Sequence, residues 1–219
     1  MSEQFEKVGG GLLVRAPGKI NISLLVKGKR ADGFHDIESI MAKIDWYDEI
    51  VIERDTRYLI LDSRKKETQI ELVCKGEYKV PEGEENLVYK AARMILDFVS
   101  PKRDSAKGFG LRIGDLKRDC FASLAMTEDG KRRTENRGRI VGGIRLTLTK
   151  NMPAGSGLGS GSSDAAATLL GLNKFFRMGL GKKELAGLAA KLGSDVAFFL
   201  DGPIAFCTGR GEKVKKLEE

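Results

Sequence analysis

Residues Met152 to Ala167 read MPAGSGLGSGSSDAAA, and this glycine- and serine-rich stretch decides how the rest of the chain is interpreted. Glycines at positions 155, 157, 159 and 161 allow the backbone to approach an anion closely and to take up positive φ angles. Apolar residues then recur at helical spacing from Ala165 to Phe176, so the segment predicts a loop that opens a helix. Such a loop offers unpaired N–H groups and the positive end of the helix dipole, which favours phosphate binding.

The exact form of this loop excludes the two commonest phosphate motifs. It lacks the Gly-Lys-Ser/Thr ending of a Walker loop and the glycine spacing of a Rossmann unit. We expect Ser162 and Ser163 to cap the following helix, because serine side chains accept hydrogen bonds from first-turn N–H groups. A flexible Gly/Ser linker is the alternative, but an amphipathic helix directly after the loop argues against it. The segment therefore predicts a nucleotide site of another type.

Length and composition indicate a soluble globular protein. The chain has 219 residues, of which 41% are hydrophobic, and this is enough for one sizeable core. No apolar run reaches the length of a membrane span, and the first fifteen residues lack the apolar centre of a signal peptide. The three cysteines are widely spaced and His35 is the only histidine, so no zinc-type cluster is expected. We predict a cytoplasmic protein with reduced thiols, no membrane partner and no metal site built from side chains alone.

The net charge of +7 does not predict nucleic-acid binding. The stretch from Lys102 to Arg139 contains eleven Lys or Arg and six Asp or Glu, so it carries five of these seven charges. The remaining net charge, about +2, is too small to form a basic face that could bind nucleic acid. Residues 100–143 have many charges and few periodic apolar positions, and we predict that they form an inserted, flexible segment within a single domain, 1–219.

Periodicity predicts mixed secondary structure. Leu12 to Val26 has a β pattern broken at Ala16-Pro17-Gly18, and short strands are expected at 37–44, 49–53, 58–62 and 70–74. Asn86 should cap a helix with a stripe of Val88, Ala91, Ala92, Ile95, Leu96 and Val99. The segment 144–149 predicts a strand that leads into the glycine loop, Gly181 precedes a further helix, and 196–200 and 204–208 are expected to be strands.

Two further segments complete a pattern with the glycine loop. These are Ala16–Asn21, APGKIN, and Leu192–Phe199, LGSDVAFF, and together with the loop they resemble the GHMP kinases. RADGFH at 30–35 and GRGEK at 209–213 are similar to the branch of that family that phosphorylates diphosphocytidyl methylerythritol, a small molecule of the non-mevalonate isoprenoid-precursor pathway. The resemblance implies an α+β fold, the GHMP kinase N-terminal domain, which is ribosomal protein S5 domain 2-like.

The resemblance also implies a division of roles among residues. Asp195 would be the catalytic base that takes the proton of the substrate hydroxyl, and Lys19 would orient Asp195 and stabilise the developing charge. Asn21, Phe34 and His35 would lie on the substrate side. ATP, with Mg²⁺ on its phosphates, would be bound by Asn86, Lys150, Pro153, Ala154, Gly155, Ser156, Gly157, Leu158, Gly159, Ser160, Gly161, Ser162 and Ser163.

The chain also departs from the family pattern. Phe34 stands where Tyr is usual, and Ser160 replaces a glycine of the loop, which would cost about 1 kcal/mol if that position needs positive φ. The family continues with a second, ferredoxin-like domain, whereas this sequence stops at Glu219, so we expect that domain to be largely absent. Two alternatives stay open: another GHMP enzyme, such as a mevalonate or homoserine kinase, and an inactive nucleotide-binding fragment.

Overall fold

The structure is a computed structural model that describes residues 4–29, 33, 35–55, 57, 68–99 and 143–217. The strands are β1 (Phe5–Val8), β2 (Gly11–Lys29), β3 (His35–Asp55), β4 (Gln69–Gly76), β5 (Gly143–Lys150), β6 (Ile204–Gly209) and β7 (Lys213–Lys216). The helices are α1 (Leu87–Val99), α2 (Ser160–Phe175), α3 (Lys182–Leu192) and α4 (Val196–Phe199). The predicted strand at 58–62, the segment 100–142 and Phe34 lie outside the described residues.

One seven-stranded sheet organises these elements. Its main path runs β1-β2-β3-β5-β4, and β6 pairs with both β3 and β7. The β4 and β5 strands are parallel, while the other described pairs are antiparallel. The long strand β3 therefore has β2 along its length, β5 beside its second half and β6 beside its first half. This branching brings segments that are distant in sequence to one sheet.

The helices cover the sheet with their apolar faces, and the stripe predicted for α1 is buried except at Val99, which is half-buried. Helix α1 buries Val88, Ala91, Ala92, Ile95 and Leu96, and α3 buries Leu185, Leu188 and Ala189. Helix α2 is buried along most of its length between the sheet and α1. The close contact of α2 with the sheet depends on Gly171, where a Cβ atom would lie 2.6 Å from Ile52 Cδ1. The predicted α+β architecture is confirmed. No helix in the described part of the chain is long and apolar enough to cross a membrane.

Three details of the predicted secondary structure are wrong. Strand β2 is continuous, because a bulge between Pro17 and Lys19 absorbs the proline and glycine that were expected to break it. The strands expected at 37–44 and 49–53 are one strand, β3, because β2 pairs with nearly its whole length. The apolar run 196–200 forms the short helix α4, since periodicity in so short a run cannot separate a helix from a buried strand.

Candidate active site

The glycine loop, residues 151–159, connects β5 to α2. Gly155, Gly157 and Gly159 have φ angles of 75°, 83° and 68°. The loop ends at Gly159, whose carbonyl accepts the N–H of Ser163 at 2.9 Å. The N–H groups of the first turn of α2 point back toward the loop, and an α-helix leaves such groups without partners inside the helix. The loop and helix together therefore present donors to an anion.

The predicted serine caps are wrong. Helix α2 begins at Ser160, and its N-cap is Gly159 in a left-handed conformation. A Cβ atom at Gly159 would lie 3.1 Å from the Phe199 ring, so the position is crowded as well as left-handed. Ser160 and Gly161 instead lie in the first helical turn, and Arg177 is the only described non-glycine residue with positive φ. The strain considered for Ser160 therefore does not arise.

The loop lies directly against Lys19. The backbone N–H of Lys19 donates to the carbonyl of Leu158 at 2.8 Å, and a Cβ atom at Gly159 would lie 3.2 Å from Lys19 Cγ. The Lys19 side chain is 6% exposed, and its ammonium donates to Asn21 Oδ1 at 3.1 Å. Two of the three segments that carry the family resemblance therefore meet here.

The third segment brings Asp195 to the same point. Asp195 Oδ2 lies 3.7 Å from Lys19 Nζ, an ion-pair distance longer than a hydrogen bond, and the Asp195 side chain is 28% exposed. A Cβ atom at Gly211 would lie 2.9 Å from Asp195 Oδ1, so close packing of the glycine limits where the carboxylate can turn. The cluster thus holds a carboxylate that solvent or a ligand can reach beside an ammonium with few partners.

Helix α4 fixes the position of Asp195, which immediately precedes it. Lys43 Nζ donates to the carbonyls of Phe199 and Asp201 at 3.1 and 2.5 Å, at the other end of this helix. Burial lowers the pKa of Lys43 to about 8, an effect that the Asp201 carboxylate partly offsets. Lys43 therefore caps the C-terminal end of α4, the helix whose N-terminal end follows Asp195.

A second lysine lies at the start of the loop in very different surroundings. Lys150 ends β5 and is 1% exposed, and its ammonium donates to Asp48 Oδ2 at 2.5 Å and to Asp164 Oδ2 at 2.8 Å. Burial opposes the charged form of Lys150, but the two carboxylates outweigh it and raise its pKa. Burial raises the pKa of Asp164 to about 7. Lys150 is therefore the centre of a buried cluster of three ionisable groups.

The side-chain amide of Asn86 also makes hydrogen bonds within the fold. Its Oδ1 accepts the N–H of Val88 at 2.9 Å, which makes it the N-cap of α1, and its Nδ2 donates to the Pro81 carbonyl at 2.7 Å. The start of α1 lies beside the start of α2, since a Cβ atom at Gly161 would be 3.4 Å from Leu87 Cδ1. Asn86 thus lies near the loop, but its amide is used within the fold.

Two of the three residues predicted for the substrate side, Asn21 and His35, lie on the paired strands β2 and β3. Asn21 bonds to Lys19, while His35 is exposed at the start of β3, opposite Lys29. The first part of β3 passes near Asp195, because both Ile37 Cδ1 and Asp195 Oδ1 approach Gly211, at 3.9 and 2.9 Å from its Cβ position.

The sequence analysis missed three residues of this region. Asp48 and Asp164 received no role, although an acid at the start of the segment 48–52 and an acid directly after the glycine loop were visible in the sequence. Cys207 is buried, and burial together with the Asp195 carboxylate raises the pKa of its thiol to about 11. Its thiol is therefore protonated at neutral pH.

The chain is similar to known proteins of one kinase family. The family described as "GHMP kinases N terminal domain" matches residues 124–203. The chain therefore contains the N-terminal domain of the GHMP kinases. Among individual proteins, it is similar to curated relatives named 4-diphosphocytidyl-2-C-methyl-D-erythritol kinase. The relative from Geobacillus sp. (strain WCH70) is 37% identical over 206 residues, and that from Bacillus cytotoxicus is 36% identical over 207.

These alignments cover 94% of this chain and 54% of each relative, so the chain spans about half the length of the curated relatives it matches. A solved structure of 4-(cytidine 5'-diphospho)-2C-methyl-D-erythritol kinase superposes with a TM-score of 0.57 and 29% identity, over 94% of this chain and 55% of that one. A homoserine kinase from Cytophaga hutchinsonii has a TM-score of 0.53 at 21% identity, over 97% of this chain and 53% of that one, and shares the fold.

Proposed function

We propose that this chain forms the ATP-binding and catalytic part of a cytoplasmic kinase of the non-mevalonate isoprenoid-precursor pathway. The kinase would transfer the γ-phosphoryl group of ATP to the 2-hydroxyl of 4-diphosphocytidyl-2-C-methyl-D-erythritol. The observation that carries the proposal is the pairing of Lys19 with Asp195 at 3.7 Å, directly beside the backbone of the glycine loop. The names of the relatives support the choice of substrate.

The glycine loop fits the phosphates of ATP. Cβ atoms at Gly155 or Gly157 would have no described heavy atom within 4 Å, so the loop backbone is open to a ligand. Ser163 Oγ is buried without a hydrogen-bond partner among the described residues, and a phosphate oxygen could serve as its acceptor. We propose that residues 153–163 bind the phosphates through backbone amides, and that Lys150 and Asn86 support this site from within the fold.

Mg²⁺ bound to ATP neutralises charge on the phosphates. Among the described residues, no group of three or more His, Cys, Asp or Glu could hold a metal ion. We propose that Mg²⁺ would be held mainly by the phosphate oxygens of ATP and by water.

The chemistry of the step follows from the two charged residues. Asp195 accepts the proton of the substrate hydroxyl while that oxygen bonds to the γ-phosphorus and the bond to the leaving ADP oxygen breaks. Lys19 holds Asp195 in place and stabilises negative charge on the transferred group. Asn21 and His35 would contact the diphosphocytidyl substrate, because the paired strands β2 and β3 that carry them pass the reacting groups, and we propose the same role for Phe34 from the family resemblance alone.

The test is phosphoryl transfer by the purified chain, followed as ADP release with 4-diphosphocytidyl-2-C-methyl-D-erythritol, homoserine or mevalonate as acceptor. We expect ATP binding but little turnover from the 219 residues alone, since the chain spans about half of its relatives. A fusion to the remaining part of the Geobacillus relative should phosphorylate the diphosphocytidyl acceptor. Transfer to another acceptor would support a different GHMP kinase, and a fusion that binds ATP without any transfer would support an inactive nucleotide-binding protein.

A further inference from the structure

The ammonium of Lys150 links the two ends of the glycine loop. Asp48 Oδ2 accepts one hydrogen bond from Lys150, and its other oxygen, Oδ1, accepts the backbone N–H groups of Asn151 and Met152 at 2.6 and 2.9 Å. These are the first two residues of the loop. On the far side, Lys150 bonds to Asp164, the fifth residue of α2. One side chain thus joins the entrance of the loop to the helix that follows its exit.

The same contacts leave Lys150 little capacity to bind a ligand. Its side chain is 2% exposed, and the side chains of Asp48 and Asp164 are 0% and 3% exposed. Direct contact with a phosphate would require the ammonium to leave two buried carboxylates, and buried carboxylates without a counter-ion are strongly unfavourable.

We propose that Lys150 is a positioning residue, which sets the spacing between the two ends of the phosphate-binding loop through Asp48 and Asp164 and does not itself contact the nucleotide. This inference rests on the proposed ATP site. The loop carries its donors on the backbone, so the distance between β5 and α2 determines whether those donors converge on one phosphate group. A fixed link at the base of the loop keeps this geometry before the ligand arrives, which lowers the ordering cost of binding.

Hydrogen exchange of the ligand-free protein tests the link independently of ATP. In Lys150→Met we expect the amides of Asn151 and Met152, and those of the loop, to exchange at least about tenfold faster, while the amides of the α1 core keep their protection. Lys182→Met is the matched control, because Lys182 also pairs with an aspartate, Asp201, but its side chain is 88% exposed. Unchanged exchange at residues 151 and 152 in Lys150→Met would overturn the inference whatever the protein does with ATP.

Nucleotide affinity then separates positioning from direct contact. Asp164→Leu removes one end of the link, keeps a side chain of similar size and leaves Lys150 paired with Asp48. Positioning predicts that ATP binds about tenfold more weakly to this variant, since small displacements of binding groups have effects of this size or larger. Direct contact predicts equal or tighter binding, because Lys150 would lose one of its two carboxylate partners and could reach the phosphates more easily, and that result would overturn the inference.

The inference can be tested even if Lys150→Met does not fold or the parent chain does not bind ATP. If Lys150→Met does not fold, the exchange measurement is made on Lys150→Met/Asp164→Asn, which removes the unpaired buried charge of Asp164. If the parent chain does not bind ATP, the proposed function fails, while the exchange comparison still decides whether Lys150 holds the two ends of the loop together.

Discussion

Lys19 and Lys150 both lie beside the glycine loop and both are buried, yet their polar partners differ in kind and in distance. Lys19 has an amide oxygen at 3.1 Å and a partly exposed carboxylate at 3.7 Å, whereas Lys150 bonds to two carboxylates that solvent does not reach. An ammonium with loose partners can move toward a substrate at small cost, but an ammonium paired with two buried carboxylates cannot. The comparison therefore separates a lysine suited to chemistry from one suited to holding structure.

The largest effect is expected on the Lys19 side, in catalysis. In a fusion that supplies the remaining part of a relative, Asp195→Asn should lower the rate of phosphoryl transfer by about 10² to 10⁴, because loss of a general base has effects of this size. Lys19→Ala should reduce transfer comparably while the fold is retained. Single-turnover kinetics measure both, with Asp201→Asn as a control outside the cluster. A near-normal rate in either variant would show that its residue has no catalytic role.

The loss of stability should be larger for substitution of Lys150 than for substitution of Lys19. Lys150→Met leaves two buried carboxylates without their counter-ion and should lower the free energy of unfolding by about 3–5 kcal/mol. Lys19→Met should cost less, because water can solvate the partly exposed carboxylate of Asp195. Urea unfolding of the two variants gives the comparison. Equal losses of stability would mean that the two clusters do not differ in the way their burial indicates.

Substitution of a glycine in the loop between the Lys19 and Lys150 clusters should weaken ATP binding. Gly157 has a φ of 83°, a conformation that costs a β-branched residue about 1–3 kcal/mol. Gly157→Val should therefore weaken ATP binding about tenfold or more without unfolding the protein, because the loop must leave its phosphate-binding shape to relieve strain. Calorimetry measures the affinity, and Gly187→Val, at an open position in α3, is the control. Unchanged affinity would favour a linker role for the loop.

The last effect concerns pH and depends on a single carboxyl group, Asp164. Burial raises the pKa of Asp164 from 3.8 to about 7. The Asp48 carboxylate adds to this rise in pKa, and Lys150 opposes it. A raised carboxyl pKa contributes stability that is complete below pH 3.8 and is lost as the pH rises to about 7. Asp164→Asn removes the titrating carboxyl group, so the variant lacks this pH-dependent loss of stability. The free energy of unfolding of the variant relative to the parent should therefore rise between pH 5 and pH 7, by up to about 1.4 kcal/mol per pH unit. Parallel pH profiles from chemical unfolding would contradict this expectation.

Local patterns predicted much of the fold. The apolar stripe of α1, the helix after Gly181, the strand that leads into the glycine loop, and the loop itself are confirmed, because periodicity and glycine placement act over a few residues. The same reasoning was wrong where the cause was not local. Strand β2 continues through Pro17 because β3 pairs on both sides of the bulge, and α4 replaced a predicted strand.

The sequence by itself determined the chemical groups and their family pattern: a lysine after a proline–glycine pair, a glycine loop before a helix, and an aspartate before an apolar run. Only the tertiary structure decided which charges meet. Lys150 reaches Asp48 across 102 positions of the chain, and Lys19 meets Asp195 only because β2, the loop and α4 converge. The physical reason is that the energy of an ion pair depends on distance and burial, and the order of strands in the sheet determines both.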